Sequence, residues 1–261
     1  MIKFLVILCV VFAGRISAAD DGIENVLSAT FHVMGGPSGA TGFAVRTTDG
    51  VFLVTAKHFL EQAGDDARLS LRQESAPGIY VKREVAVRLK DAGKVLWRSN
   101  PKVDVGILKF DVPSDVALKP FELSQLADEK TFQAKRVRVA MEVWIPGYPV
   151  NLEANAGGWA VLRRGVIASY PLVPLAATPT FLVNANTFSG DSGAPVVAHA
   201  AATSEKSEGM LPLVTGLVQG MHRQTDHIVT TLEDRTTHFP IALAIVVPAP
   251  FIRELLETPA P

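Results

Sequence analysis

Residues 187–197 read TFSGDSGAPVV, a polar segment that runs directly into an apolar stretch. Ser192 lies in it between Asp191 and Gly193, and Gly190 precedes the acid. Serine is a weak nucleophile unless a neighbouring base accepts its proton, and an attacked carbonyl needs N–H donors aimed at the oxyanion. Glycines let backbone N–H groups point inward without a Cβ in the way. The segment therefore predicts a nucleophile loop in which the N–H groups of Gly190 and Ser192 form an oxyanion hole. A tight turn with an Asp side-chain cap is the alternative interpretation.

Two further segments carry the side chains that such a serine requires. Residues 52–58, FLVTAKH, place His58 at the exit of an apolar strand, and residues 103–108, VDVGIL, place Asp104 at the start of another. A carboxylate beside an apolar strand is costly unless a partner pairs with it. The chain order His58, Asp104, Ser192 is one of the three orders in which Ser–His–Asp triads occur. The three segments together indicate nucleophilic catalysis.

The rest of the chain is typical of an all-β protein. Many short segments rich in Val, Ile, Leu and Phe are separated by Gly, Pro, Asn or Asp, which favours barrels or a sandwich. Residues 250–257, PFIRELLE, predict a terminal helix with proline in its first turn, and residues 58–63 predict a short turn. Residues 199–209, HAAATSEKSEG, predict an exposed loop.

The motifs TAKH, DVGIL and GDSGAP resemble those of the trypsin-like (chymotrypsin-fold) serine peptidases, and the similarity is closest to the bacterial, disulfide-free type. The resemblance runs from about residue 29 to residue 256. It implies an all-β fold of two six-stranded antiparallel β-barrels with the active site between them and a short C-terminal helix. The two halves would span roughly residues 20–125 and 126–261.

The same resemblance implies a role for each site residue. His58 would be the general base and then the general acid, Asp104 would orient its ring, and Ser192 would attack and become the acyl-enzyme. Gly190 and Ser192 would donate the oxyanion hydrogen bonds. The substrate pocket would include Asn186, six residues before the serine, and Gly220, on the strand that lines the cleft. An Asn at that position favours a neutral or polar substrate side chain rather than Arg or Lys.

The chain departs from the family pattern at several positions. Ala194 stands where a second glycine is usual after the serine, and Val218 and Gln219 stand where a serine and an aromatic residue are usual. Ile23 follows Gly22, so the sequence does not indicate activation by a new N-terminus. The leading hypothesis is a serine endopeptidase that needs no metal or cofactor. The alternative is a catalytically quiet domain that binds a protein partner, and an α/β-hydrolase esterase is disfavoured because Ala194 breaks Gly-x-Ser-x-Gly.

Composition and the N-terminus predict where such a protein acts. The 261 residues carry a formal net charge of −1, which gives no support for a nucleic-acid partner. Residues 1–19 predict a secretory signal peptide cleaved after Ala18 or Ala19, and a retained membrane anchor is the alternative. The only cysteine, Cys9, lies inside this segment. We therefore expect a disulfide-free protein, secreted or periplasmic in a bacterium, with no stable membrane anchor and with protein or peptide substrates.

The remaining histidines show no metal-ligand spacing such as HExxH. His222 and His227 lie five residues apart with Asp226 between them. We interpret them as solvated loop residues, and a zinc site is the alternative.

Overall fold

A computed structural model describes residues 19–199 and 212–259. The predicted signal peptide lies outside these residues except for Ala19, as do Cys9 and residues 200–209 of the predicted loop. Within the described ranges, no helix is both long and apolar enough to cross a bilayer.

The N-terminal part contains two helices and ten strands. They are α1 (Ala19–Ala29), β1 (Thr30–Gly35), β2 (Ser38–Thr47), β3 (Gly50–Thr55), α2 (Lys57–Gln62), β4 (Asp66–Ala76), β5 (Ile79–Arg88), β6 (Lys90–Asp91), β7 (Lys94–Val95), β8 (Arg98–Ser99), β9 (Gly106–Lys109) and β10 (Phe121–Glu122).

The C-terminal part contains two further helices and six strands. They are α3 (Glu129–Gln133), β11 (Glu142–Gly147), β12 (Val161–Ile167), β13 (Phe181–Asn184), β14 (Pro195–His199), β15 (Pro212–Val229), β16 (Asp234–Pro248) and α4 (Ala249–Glu257). Two single 3₁₀ turns cover Leu123–Gln125 and Pro149–Asn151.

The predicted all-β, chymotrypsin-like fold with its terminal helix is confirmed. The six C-terminal strands close into a barrel in the order β11-β12-β13-β16-β15-β14. The N-terminal sheet has eight strands rather than six: its path runs β5-β4-β1-β2-β3-β9-β8, and β10 pairs with β2. Because β8 is only two residues long, it has few backbone groups with which to close this sheet onto β5.

Strands β2 and β3, which lead to His58, are apolar on both faces because they lie between two hydrophobic cores. In β2, Phe43 and Val45 join the cluster that fills the C-terminal barrel, whereas Ala44 joins the cluster of the N-terminal sheet. Successive side chains of a strand point to opposite faces, so this near-continuous apolar run indicates burial on both sides. The two halves are thus packed against each other through β2 and β3, which also carry the chain to His58.

Two features were not predicted from the sequence. Helix α1 precedes the first strand, and β15 and β16 continue as a long hairpin in which His222 and His227 lie on an exposed strand rather than in a loop. The apolar periodicity of residues 211–220 ends before this extension begins, because its side chains are exposed and need not be apolar.

Candidate active site

His58 and Asp104 meet because their two strands are neighbours in the sheet. Strand β3 ends at Thr55, which pairs with Gly106 at the start of β9. His58 follows in α2, and its Nδ1 lies 2.6 Å from Asp104 Oδ2. The backbone N–H of His58 donates to the other carboxylate oxygen of Asp104 at 2.8 Å. Asp104 thus fixes both the ring and the backbone of His58.

Each group of this pair shifts the pKa of the other. The hydrogen bond that the His58 ring donates to Asp104 raises the pKa of His58 above its ordinary value of 6.5, although burial acts in the opposite direction. Burial acts to raise the pKa of Asp104, but the hydrogen bonds from the ring and the backbone of His58 outweigh it and hold that pKa below its ordinary value. Asp104 is therefore ionised at neutral pH, and an imidazolium at His58 is stabilised.

The loop that carries Ser192 is joined by hydrogen bonds to the strands that lead to His58. Thr41 donates its backbone N–H to the carbonyl of Ser192 at 2.9 Å. A Cβ added at Gly193, where φ is 89°, would lie 2.4 Å from Thr55 Oγ1 and 3.0 Å from the backbone nitrogen of Ala56. Only glycine permits this approach. The serine loop therefore lies directly against the end of β3, three residues before His58.

The hydroxyl of Ser192 donates to the carbonyl oxygen of Gln219 at 3.2 Å. Among the described residues, no hydrogen bond links this hydroxyl to the ring of His58. Gln219 also lines a pocket of about 380 Å³ that Asp104 and Lys57 line from the other half of the molecule. Asp104 and the residue that accepts the Ser192 hydroxyl therefore line the same pocket.

Gly190 adopts a conformation that only glycine accepts at this position. Its φ is 95°, and an added Cβ would lie 2.3 Å from the carbonyl oxygen of Tyr148. Within the ranges that the structure describes, the N–H groups of Gly190 and Ser192 donate to no protein acceptor. Two free N–H groups beside a serine hydroxyl suit the stabilisation of an oxyanion.

Asp191 is fully buried and pairs with Arg163 of β12. The two guanidinium nitrogens contact the two carboxylate oxygens of Asp191 at 2.5 Å each, and Phe188 donates its N–H to the same carboxylate at 2.7 Å. Arg163 also donates to the carbonyl of Asn186 at 3.1 Å. This bidentate pair anchors the serine loop through both carboxylate oxygens of Asp191. The sequence does not reveal this pair, because Arg163 stands next to Arg164 and nothing in the neighbouring residues distinguishes the two.

Thr41 is a second residue that sequence reasoning missed. Its hydroxyl donates to the carbonyl of Gly190 at 2.8 Å and accepts the N–H of Tyr148 at 3.1 Å. Its own carbonyl accepts the hydroxyl of Thr55 at 2.8 Å. This buried residue of β2 thereby joins the oxyanion segment, the end of β11 and the end of β3. These partners come from segments distant in the sequence, so no neighbouring residue of Thr41 indicates them.

Neither of the two residues expected in the substrate pocket lines the pocket beside Asp104. Asn186 is exposed, and Gly220 is half-buried with open space where a Cβ would project. The pocket beside Asp104 is lined by Glu61, Lys102, Pro179 and Thr180, together with Gln219. Neither Asn186 nor Gly220 lines it, so their part in substrate recognition stays a prediction.

Two of the histidines outside the site, His227 and His238, make contacts within the β15–β16 hairpin. His227 Nε2 lies 2.6 Å from an oxygen of Asp234 across the β15–β16 hairpin, and both side chains are largely exposed. No group of three or more potential metal-ligating side chains occurs within residues 19–199 and 212–259.

The fold defines a class of protein, the chymotrypsin-like serine protease fold, and in it a hydrogen-bonded His–Asp pair follows the strand end against which a serine loop packs. Within this class, the chain belongs to the trypsin-like peptidase domain family, whose sequence model matches residues 40–202. The prediction of a trypsin-like peptidase is therefore confirmed at the level of the family.

Solved structures share the fold at low sequence identity. The HtrA-type protease AlgW, solved with a tripeptide, superimposes with a TM-score of 0.54 at 14% identity, covering 92% of this chain and 61% of its own. Human heparin binding protein superimposes with a TM-score of 0.53 at 11% identity, covering 91% of this chain and 95% of its own. The present chain thus spans less than two thirds of the length of AlgW. No curated protein sequence is significantly similar to it.

Proposed function

We propose that this protein is a serine endopeptidase that cleaves proteins or peptides through an acyl-enzyme. His58 is the general base, Asp104 orients it, and Ser192 is the nucleophile. The observation that carries the proposal is the 2.6 Å contact between His58 and Asp104 at the end of β3, against which the glycine-flanked serine loop is packed. Removal of residues 1–19 during export to the bacterial envelope is part of the proposal and rests on the amino-acid sequence alone.

The reaction begins when the Ser192 hydroxyl turns from Gln219 towards Nε2 of His58. Nε2 accepts the hydroxyl proton as the oxygen bonds to the substrate carbonyl, and Asp104 stabilises the resulting imidazolium. The negative charge that develops on the carbonyl oxygen is met by the N–H groups of Gly190 and Ser192, each contributing about 3 kcal/mol in the transition state. His58 then protonates the leaving amine, and water releases the acyl group by the same steps in reverse.

A fluorophosphonate probe tests the proposal directly, because it bonds covalently to an activated serine hydroxyl. We expect the wild-type protein to be labelled at Ser192, as located by mass spectrometry of the digested protein, and the Ser192→Ala variant to remain unlabelled. Ser189→Ala is the matched control: it removes a serine of the same loop and should be labelled. A folded wild-type protein that takes up no label contradicts the proposal.

One observation favours a second candidate, a catalytically quiet domain that binds a partner in the same cleft. The hydroxyl of Ser192 donates to Gln219 rather than to His58. Hydrogen bonds of catalytic groups are often incomplete without substrate, so this contact is compatible with either function. A folded, unlabelled protein would leave the binding domain as the function.

The hydroxyl of Thr41 should matter for reactivity as well as for stability. Thr41→Val keeps the shape but removes the hydrogen bond to Gly190 and leaves the buried N–H of Tyr148 without an acceptor, at a cost of about 1–3 kcal/mol. We expect the labelling rate of Ser192 to fall at least about tenfold, because the oxyanion segment loses its tether. Chemical denaturation and probe kinetics measure the two effects.

Thr215→Val is the control for that variant, since Thr215 is equally buried but its hydroxyl bonds Val196 within the barrel. We expect some loss of stability and an unchanged labelling rate. A Thr41→Val protein that is labelled as fast as the wild type would show that Thr41 does not position the loop.

A further inference from the structure

A large cavity lies outside the candidate active site. It opens between helix α1, the β4–β5 hairpin and two further segments, residues 116–119 and 154–160, and its volume is about 990 Å³. Ligand-binding pockets usually measure about 300–1,000 Å³, so this cavity can hold a small molecule. None of the residues assigned above to catalysis or to the serine loop lines it.

The side chain of Arg72 lies directly behind the wall of this cavity. Its exposed fraction is 1%, and its Nη2 donates to the carbonyl of Ser28 at 2.7 Å. Its Cζ lies 4.5 Å from the centre of the Trp159 ring. Ser28 and Trp159 both line the cavity, so a single layer of residues separates the cavity from the guanidinium.

The guanidinium of Arg72 lacks the partners that a buried cation requires. Among the described residues, its Nε and Nη1 donate to no acceptor, and no carboxylate forms an ion pair with it. Asp191, which is equally buried, is paired with Arg163. Burial lowers the pKa of Arg72, and the neighbouring Tyr148 hydroxyl offsets this only in part. Because a guanidinium keeps its charge in proteins, an anion that reached it would bond to donors that are otherwise unused and would neutralise a buried charge.

The lining of the cavity indicates what the rest of such an anion is. Buried and half-buried apolar side chains form its inner wall, among them Leu27, Val116, Leu118 and Ala160. The rings of Tyr80 and Trp159 meet edge to face in the same wall, with their centres 5.2 Å apart. The charged side chains of the lining, Glu24, Glu74 and Lys119, are exposed and therefore form its rim. Two acids and one base at the rim disfavour a doubly charged anion such as phosphate, whereas a single carboxylate on an apolar chain fits both the wall and the buried guanidinium.

We propose that this cavity binds an aliphatic monocarboxylate, whose carboxylate reaches the unused donors of Arg72 and whose chain packs along the apolar wall. The indole of Trp159 turns away from the guanidinium to admit the carboxylate, and charge-assisted hydrogen bonds replace the contact between cation and ring. Medium-chain fatty acids are the ligand class that combines these two features. The inference goes beyond the proposed peptidase function and does not depend on it, because the cavity shares no residue with the candidate active site.

A matched pair of ligands tests the role of the charge. Octanoate and octanamide have the same chain length and nearly the same shape, but only octanoate carries a negative charge at neutral pH. In titration calorimetry on the wild-type protein, octanoate should bind at least about tenfold more tightly than octanamide, because its carboxylate forms charge-assisted hydrogen bonds to Arg72. Equal affinities for the two ligands, or no binding of octanoate, overturn the proposal.

Substitution of Arg72 locates that preference. Arg72→Met keeps an unbranched side chain but removes the charge, so octanoate should bind this variant no better than octanamide. The readout is the ratio of the two affinities within each folded protein. Arg68→Met is the control, because Arg68 lies on the same strand but is 65% exposed and pairs with Glu84, and its ratio should equal that of the wild type. A wild-type ratio in Arg72→Met contradicts the assignment.

Tryptophan fluorescence tests the same site with Arg72 in place. Octanoate should change the emission of the wild-type protein, because the ring of Trp159 leaves the guanidinium as the carboxylate arrives. Trp159→Phe should abolish this change while octanoate still binds in calorimetry. Trp144→Phe, on β11, is the control and should keep the change. A change that persists in Trp159→Phe, or octanoate binding that leaves the wild-type emission unaltered, places the ligand elsewhere and overturns the proposal.

The results separate this inference from the peptidase function. Octanoate binding that depends on Arg72, in a protein whose Ser192 takes up no fluorophosphonate, supports the ligand site and overturns the peptidase alone. Labelling of Ser192 in a protein that shows no preference for octanoate supports the peptidase and overturns the ligand site alone.

Discussion

Replacing Asp104 by asparagine should lower kcat on a peptide substrate by about 10⁴-fold, as loss of the orienting carboxylate does in comparable triads. The carboxylate accepts the Nδ1 proton of His58, which leaves Nε2 free to accept the proton of Ser192. The NH₂ group of asparagine instead donates to Nδ1 and moves the ring proton to Nε2, where it blocks that transfer. Steady-state kinetics on a cleaved peptide measure the loss.

The pH dependence of kcat/KM in the same variant tests whether Asp104 sets the pKa of His58. Catalysis needs neutral His58, and Asp104 raises the pKa of that ring above 6.5. Wild-type kcat/KM should therefore fall as the pH drops through a value above 6.5. In Asp104→Asn the raising influence of Asp104 is lost, burial still lowers the pKa of His58, and only the smaller influence of Glu61 still raises it, so the residual activity should persist to lower pH.

Asp128→Asn is the matched control for Asp104→Asn, because Asp128 also accepts a backbone N–H but caps α3, outside the residues of the site. Its kcat and pH profile should equal those of the wild type. An Asp104→Asn variant with kcat within tenfold of the wild type would show that this carboxylate does not direct the base.

Replacing Arg163 by methionine should destabilise the protein by about 3–5 kcal/mol, because it leaves the carboxylate of Asp191 buried without its partner. The anchored segment is also the one that presents the N–H groups of Gly190 and Ser192. The rate at which a fluorophosphonate labels Ser192 should therefore fall even when it is calculated per folded molecule. Denaturant unfolding and probe kinetics on the folded fraction measure the two effects.

The adjacent residue provides the control. Arg164 lies on the same strand but pairs with Glu142 at 3.7 Å, and both side chains are more than 60% exposed. Arg164→Met should cost less than about 1 kcal/mol and leave labelling unchanged. The double variant Arg163→Met/Asp191→Asn removes both charges and should be more stable than Arg163→Met. Equal stability of Arg163→Met and the wild type would mean that the pair does not hold the loop.

The site residues that could be predicted are those that stand in a recognisable short motif. His58, Asp104 and Ser192 each stand in a short motif at the end of an apolar strand, where a polar side chain is conspicuous. The terminal helix was predicted because proline and apolar spacing act locally, whereas the short turn predicted for residues 58–63 is the helix α2, Lys57–Gln62. The long β15–β16 hairpin was not predicted, because exposed strands lack an apolar period.

Partners that come from distant parts of the chain could not be predicted. Arg163 and Arg164 look alike in the sequence, and only the register of β11 and β12 places one of them inward, against Asp191. Thr41 likewise gains its partners only when β2 packs against the loop 149 residues further along the chain.

The sequence by itself determined the family, the all-β class and the three candidate side chains, because each depends on local composition and spacing. The tertiary structure alone decided that Arg163 neutralises Asp191, that Thr41 tethers Gly190, and that the Ser192 hydroxyl contacts Gln219. Those contacts join segments far apart in the chain. Their distances are set by strand register and by the packing of the two halves, which no short stretch of residues specifies.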